Sequence, residues 1–235
     1  MSKANKSNKA IKYRLYPNDE QKVMFAKTFG CCRFVYNQLL ALQKQRYKDG
    51  ESHLSKLKSN EFATRTLKKD YDFLKEIDKF AVSNAVFHLA DAYDRFFKKQ
   101  NHFPKFKSKR KSKKSYTTNF TNNNILIGKN VIKLPKVGMV KAVIHKLPKD
   151  DWKLKSVTVS QDSVGNYFAS VLFEYEQEDI PSVSKSSTNA IGLDYKSDGL
   201  YMDSNGNKAG VHKYYRESHK KLAKEQRRLS RKSRF

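Results

Sequence analysis

Apolar and polar positions alternate from Ala10 to Tyr16, with Ile11, Tyr13 and Leu15 on one face, which is the period of a half-buried β-strand. Pro17-Asn18-Asp19-Glu20 ends that strand and opens a helix: Asn18 can accept from free first-turn amides, and the two acids suit the positive end. Apolar residues recur at Val23, Met24, Phe25 and Ala26, then at Phe34, Val35, Leu39, Leu40 and Leu42, which predicts two helices broken near Gly30. Asp49-Gly50 marks a turn, Asn60 a cap, and Glu61 to Tyr71 a shorter helix. The clearest helical period follows Asp78, where Val82, Ala85, Val86, Leu89, Tyr93, Phe96 and Phe97 define one apolar face.

Past residue 130 the period drops to two. Val131 to Leu134, Val140 to Leu147, Leu154 to Val159 and Tyr167 to Tyr175 read as strands, the last two joined as a hairpin across Asp162-Ser163-Val164-Gly165-Asn166. With Ala10 to Tyr16 they make a small twisted sheet or partly closed barrel, into which the helices of residues 18–100 are inserted. Ser-rich residues 179–188, with Pro181, predict a linker. Beyond it, Ile191-Gly192-Leu193-Asp194 and Gly199 to Asp203 read as two further strands, with Asp194 at the carboxyl end of the first. A carboxylate there is a candidate metal ligand, because a rigid strand fixes an oxygen better than a loop; a plain turn-starting Asp is the alternative. Tyr214 to Lys232 predicts a basic helix with Tyr215, Leu222 and Leu229 at seven-residue steps. The expected class is α+β.

Charge narrows the partner. Forty-nine Lys and Arg against 23 Asp and Glu leave +26 on 235 residues, far beyond what solubility needs, and point to a polyanion such as nucleic acid. From Lys98 to Lys114 there are nine Lys or Arg and no acid, interleaved with Phe103 and Phe106, so charges can track phosphates while a ring stacks on an unpaired base. Lys105, Lys107, Lys109, Arg110 and Lys111 are the binding candidates here, followed by Tyr116, Thr117, Thr118 and Asn119 as short donors of the kind that reach groove edges. Arg227, Arg228 and Arg231 extend the list into the last helix. Adjacent Cys31 and Cys32 form neither a disulfide framework nor a zinc site, and the six scattered histidines show no ligand spacing. No apolar run approaches a membrane span, so a cytoplasmic protein with no membrane partner is expected.

Seven segments in this order resemble TnpB, the OrfB-type proteins of bacterial insertion sequences, which are relatives of the type V CRISPR nucleases. They are Lys12-Tyr13-Arg14-Leu15-Tyr16-Pro17, Phe29 to Asn37, Phe103 to Ser108, Ser115-Tyr116-Thr117-Thr118, Lys155 to Ser160, Ile191-Gly192-Leu193-Asp194, and Lys221-Leu222-Ala223 with Leu229 to Lys232. The resemblance implies a wedge-like oligonucleotide-binding-type β-barrel (1–17 and 101–178) around a helical, helix-turn-helix-like recognition lobe (18–100). A RuvC, RNase H-like nuclease domain (189–235) would follow. It also implies a guide RNA from the transposon end, double-stranded target DNA, and magnesium. Tyr47, Lys79, Ser83, Asn84, Thr117 and Thr118 become candidate readers of the DNA motif, and Asp194 the catalytic, metal-holding acid.

The departures bear on chemistry. Of the family's three metal-holding acids only Asp194 has a counterpart, and the family's four-cysteine zinc ribbon has none, so an incomplete nuclease domain in a carboxyl-terminally shortened chain is expected. Lys196 stands where the family often has Gly. Asp198, Asp203, Glu217 and Glu225 fall in a turn, a hairpin and a surface helix, so they do not substitute. Two-metal cleavage needs cations about 4 Å apart, which one carboxylate cannot hold, so the polypeptide by itself is expected not to cut DNA. A DNA- and RNA-binding regulator without nuclease activity is the alternative, and an unrelated basic RNA-binding protein a third reading.

Overall fold

The structure, a computed structural model, describes residues 6–176, 191–195, 199–210 and 214–232. They fall into two compact units, within residues 1–178 and 179–235. The predicted linker at 179–188 lies outside the described residues.

The first unit is mixed α+β, as expected. Strand β1 (Lys6–Tyr16) leads into helix α1 (Asp19–Lys48), capped by Asn18, whose side chain accepts from the Gln21 amide at 2.8 Å while the Gln21 side chain accepts from the Asn18 amide. Contrary to the expected break, α1 runs straight through Gly30. The reason is its buried face: Phe25, Phe29, Cys32, Val35, Tyr36, Leu39, Leu40 and Gln43 continue at three- and four-residue steps across the glycine. That burial outweighs the roughly 1 kcal/mol a helical glycine costs. The next helix also starts earlier than expected. Ser55 caps α2 (Lys56–Glu61), which continues through a π-helical turn (Phe62–Leu67) into α3 (Lys68–Asp70), so Asn60 is inside the element. Helix α4 (Lys79–Phe97) follows with Val82, Ala85, Val86, Leu89 and Tyr93 buried.

The remaining strands are β2 (Lys114–Asn119), β3 (Leu126–Ile127), β4 (Val131–Leu134), β5 (Gly138–Val143), β6 (Lys153–Gln161) and β7 (Tyr167–Glu176). They join β1 in one seven-stranded antiparallel sheet of order β2-β6-β7-β1-β5-β4-β3. The expected barrel is not closed. Its edge strands β2 and β3 are neighbours in sequence, joined by residues 120–125, but do not pair with each other. The expected hairpin is present, with the Asp162 carboxylate accepting from the Val164 and Asn166 amides and Gly165 at φ +97°. Strand β5 stops at Val143 instead of Leu147, and the Tyr13 hydroxyl caps the extension by donating to the Lys146 carbonyl at 2.6 Å. One core joins sheet and helices: the Phe25 ring lies 5.4 Å from Tyr167 and 6.3 Å from Tyr116, linking α1 to β7 and β2.

The second unit holds a three-stranded antiparallel sheet of β8 (Leu193–Asp194), β9 (Tyr201–Asp203) and β10 (Lys208–Ala209), and helix α5 (Tyr214–Lys232). No side chain of α5 is buried among the described residues.

Candidate nucleic-acid interface

The strand β2 alternates, and that alternation divides its candidates. Tyr116 and Thr118 point inward, 4% and 0% exposed, so neither reaches a base or phosphate, and their assignment as groove-reaching donors is corrected. Thr118 Oγ1 instead donates to Asp78 Oδ2 at 2.6 Å, tying β2 to the start of α4. Burial holds the Tyr116 hydroxyl far above its usual pKa, with Asp78 and Cys32 adding to the effect. On the outward side, Asn84 donates to the Thr117 carbonyl at 2.9 Å and to Asn119 Oδ1 at 3.2 Å, while the Thr117 hydroxyl pairs with that of Thr158 at 2.8 Å. The structure thus brings Asn84, Thr117 and Asn119 together in a latch between α4 and the sheet edge. Ser83 sits half-buried beside it on α4.

Lys79, in the first turn of α4, is exposed with its Nζ 5.0 Å from the Phe80 ring centre. It opens on a cleft of about 440 Å3 that also takes Lys68, Lys75, Lys136, Asn122 and Asn124. The Lys68 ammonium is pushed to a lower pKa by burial, against the pull of Asp78, with Lys79 and Lys136 lowering it further. Sequence reasoning missed this cluster because its lysines come from separate segments. Tyr47 is not part of it. Cys32 Sγ meets the Ala81 carbonyl at 3.3 Å, whereas Tyr47 borders a cleft with Tyr93 and Phe97, so α1 and α4 run parallel. Fifteen residues at about 1.5 Å each put Tyr47 roughly 22 Å along α1 from Cys32.

The basic stretch is tied to the helices instead of trailing as a linker. Asn37 of α1 donates to the Lys107 carbonyl at 2.9 Å and accepts from the Lys107 amide at 2.8 Å. The Lys107 ammonium lies 3.9 Å from the Tyr36 ring centre, and burial lowers its pKa against an opposing pull from Cys32. Next comes a tight turn, in which the Ser108 amide donates to Ser112 Oγ at 2.9 Å and the Lys111 amide to Ser108 Oγ at 3.0 Å. Lys109, Arg110 and Lys111 occupy its tip and are exposed, as is Lys105. Backbone order with free ammonium and guanidinium heads is the arrangement that lets cations meet phosphates without first losing chain entropy.

A second cationic surface lies on the outer sheet face and carries no sequence signal beyond alternation. Lys12 Nζ sits 4.2 Å from the Phe168 ring centre, and the Arg14 guanidinium lies 5.0 Å from Phe168 and 5.4 Å from Tyr16. Arg14 also donates to Asn166 Oδ1. Ser160, Thr158 and Ser170 supply hydroxyls on the same face, as the pairing Ser160↔Phe168↔Arg14 requires.

In the second unit Asp194 is exposed on β8, paired with Met202 of β9. Asp203 is held by its own turn, accepting from the Asn205 and Asn207 amides and from Asn207 Nδ2, and Asp198 lies outside the described residues. Among the described residues no three His, Cys, Asp or Glu side chains converge. They do not assemble the donor set that a pair of magnesium ions requires. Nor do buried Cys31 and Cys32 suit zinc: burial raises both thiols, Cys32 to about 12, the opposite of a ligand thiolate. Arg227, Arg228 and Arg231 are exposed on α5, with Arg228 bonded to Glu225. No helix among the described residues is long and apolar enough to cross a membrane.

Comparison with known proteins supplies what the geometry leaves open. The helix-turn-helix domain family HTH_OrfB_IS605 matches residues 7–52, which here form β1, all of α1 and the turn after it. A Streptomyces pristinaespiralis protein named "Putative RNA-guided DNA endonuclease" is 31% identical over 227 residues, covering 96% of this chain and 55% of the relative. The Escherichia coli K12 protein with the same description and the name InsQ is 30% identical over 233 residues, covering 96% of this chain and 54% of its own length. The Salmonella dublin virulence protein VsdF is 32% identical over 111 residues, 43% of this chain and 93% of that protein. The chain spans about half the length of the first two relatives. Matched along 96% of its length by both of these relatives, and by the OrfB family's helix-turn-helix domain over residues 7–52, it belongs to the TnpB (OrfB) family of insertion-sequence proteins.

Proposed function

We propose that this chain is the nucleic-acid-holding part of a transposon-encoded, RNA-guided DNA endonuclease, with guide RNA and double-stranded DNA as partners of the first unit. The observation that carries the reading is the Asn37 clamp on Lys107, which presents Lys109, Arg110 and Lys111 on a preformed turn. A solvated linker needs no such fixation. The relatives' names agree with this reading, and the net charge of +26 supplies the electrostatic drive.

On the same reading the open sheet is the family's wedge, the helices of residues 19–97 are its recognition lobe, and β8 to α5 begin a RuvC-like domain in which Asp194 is the first metal-holding acid. The 235-residue chain by itself then binds without cutting, a reading supported by the lack, among the described residues, of any group of three His, Cys, Asp or Glu side chains able to hold a metal ion. The experiment uses the purified chain with an RNA transcribed from its element's right end and a matched duplex, with and without magnesium. Binding with intact DNA is expected; strand cleavage that disappears in Asp194→Ala would overturn the binding-only account.

Removing the three tip charges together, as Lys109→Gln/Arg110→Gln/Lys111→Gln, is expected to weaken binding to all sequences alike. It should also flatten the plot of log affinity against log salt by roughly 2.7 units, about 0.9 for each phosphate no longer neutralised. These side chains are exposed, so urea unfolding should not change. An unaltered affinity would show that the turn does not track phosphates.

A further inference from the structure

Where α1 and α4 end side by side, the chain leaves open a cleft of about 700 Å3 with walls built mainly of aromatic rings. Tyr93 forms the floor, only 4% exposed, and around it stand Phe96, Phe97 and Phe103. The Phe103 ring meets Tyr93 edge-on at 5.6 Å and Phe96 edge-on at 5.2 Å, and Phe97 lies nearly parallel to Tyr93 at 6.1 Å. Packing among themselves does not consume these rings: Phe97 remains 62% exposed and Phe103 40%, with Tyr47 at the rim 85% exposed. Open ring faces on a monomer surface mark a place where something flat and apolar is received.

The rim shows what kind of molecule it is. Lys44 places its Nζ 5.5 Å from the Phe103 ring centre and 4.7 Å from Phe106, and Lys48 borders the same opening. The rim carboxylate, Glu51, is already paired with Arg46. His53, edge-on to Tyr93 at 4.6 Å, has its pKa lowered by burial against the pull of Asp94, so the wall stays uncharged at neutral pH. An aromatic bowl with cations at its lip matches a ligand that is itself a flat ring joined to an anion.

We infer that this cleft takes an unstacked nucleobase of a single strand, stacking it on the exposed Phe97 ring with Phe103 meeting it edge-on, while Lys44 and Lys48 hold the adjoining phosphate. The inference rests on the nucleic-acid reading above and adds a site that reads the presence of a base, separate from cations that read only charge.

Two ligands of equal charge test it, a twelve-nucleotide oligothymidylate and a twelve-unit abasic strand, each titrated into the full chain at low salt by fluorescence anisotropy. The wild type is expected to bind the thymidylate about 5- to 150-fold more tightly, the range for stacking one base on an aromatic side chain. Phe97→Ala should abolish that preference and leave abasic binding unchanged, and Phe97→Trp should restore it. The triple glutamine variant at residues 109–111 should weaken both ligands and keep their ratio. Equal wild-type affinity for the two strands would overturn the cleft assignment while leaving the electrostatic reading intact, and failure to bind either would overturn both. Competition by a glutamate–tyrosine copolymer that depends on Phe97, with thymidylate binding indifferent to it, would reassign the cleft to an acidic peptide.

Discussion

Raising salt from about 50 to about 200 mM is expected to lower the chain's affinity for duplex DNA about a thousandfold, the loss for about six phosphates neutralised. The count has a structural basis. Lys105, Lys109, Arg110, Lys111, Lys113 and Lys114 are exposed on one segment held to α1, whereas Lys107 is half-buried and committed to Tyr36. Counterion release scales with the number of phosphates met, so a segment ordered before binding delivers its cations together. A response under tenfold over that range would mean that the segment does not lie along a backbone, whatever its composition.

The second large effect concerns stability. Phe25→Ala should reduce the free energy of unfolding in urea by about 3–5 kcal/mol, the usual range for emptying a fully buried phenylalanine site. Phe25 is fully buried, and its ring is shared between Phe29 of its own helix, Tyr116 of β2 and Tyr167 of β7. Those neighbours sit on a sheet and a long helix that cannot both collapse into the void. Against a total of about 5–15 kcal/mol for a domain, the change is a large share. A loss under about 1 kcal/mol would show that α1 does not depend on the sheet for its position.

Gly30 shows how the sequence can mislead and what it still contained. Reading glycine as punctuation predicts two helices, and the matched family carries a helix-turn-helix name. Yet the spacing Phe25, Phe29, Cys32, Tyr36 and Leu39 never loses phase, and phase decided the outcome. Strand positions were legible wherever alternation was strong, as at Val131–Leu134 and across the Asp162 to Asn166 hairpin. Ser115 to Asn119 alternates too, but its hydroxyls and amide suggested donors for a groove, and the burial of Tyr116 and Thr118 shows a sheet edge instead. The cationic surfaces divide the same way. A charged run is visible in one dimension, so Lys109, Arg110 and Lys111 could be picked out. Lys68, Lys79 and Lys136 meet only because three distant segments converge, and no local pattern announces that.

Strand β1 occupies the middle of the large sheet, and its register with β7 places Lys6 opposite Glu176 and Leu15 opposite Tyr167. The earliest strand of this sheet to leave a ribosome must therefore wait for the latest. Until residues beyond 167 emerge, the side of Ile11, Tyr13 and Leu15 that awaits β7 has no native partner, and loop closure over most of the unit precedes any reward. Nascent chains halted before β7 should consequently be protease-sensitive and chaperone-bound, and protection should arrive in one step once that strand is released.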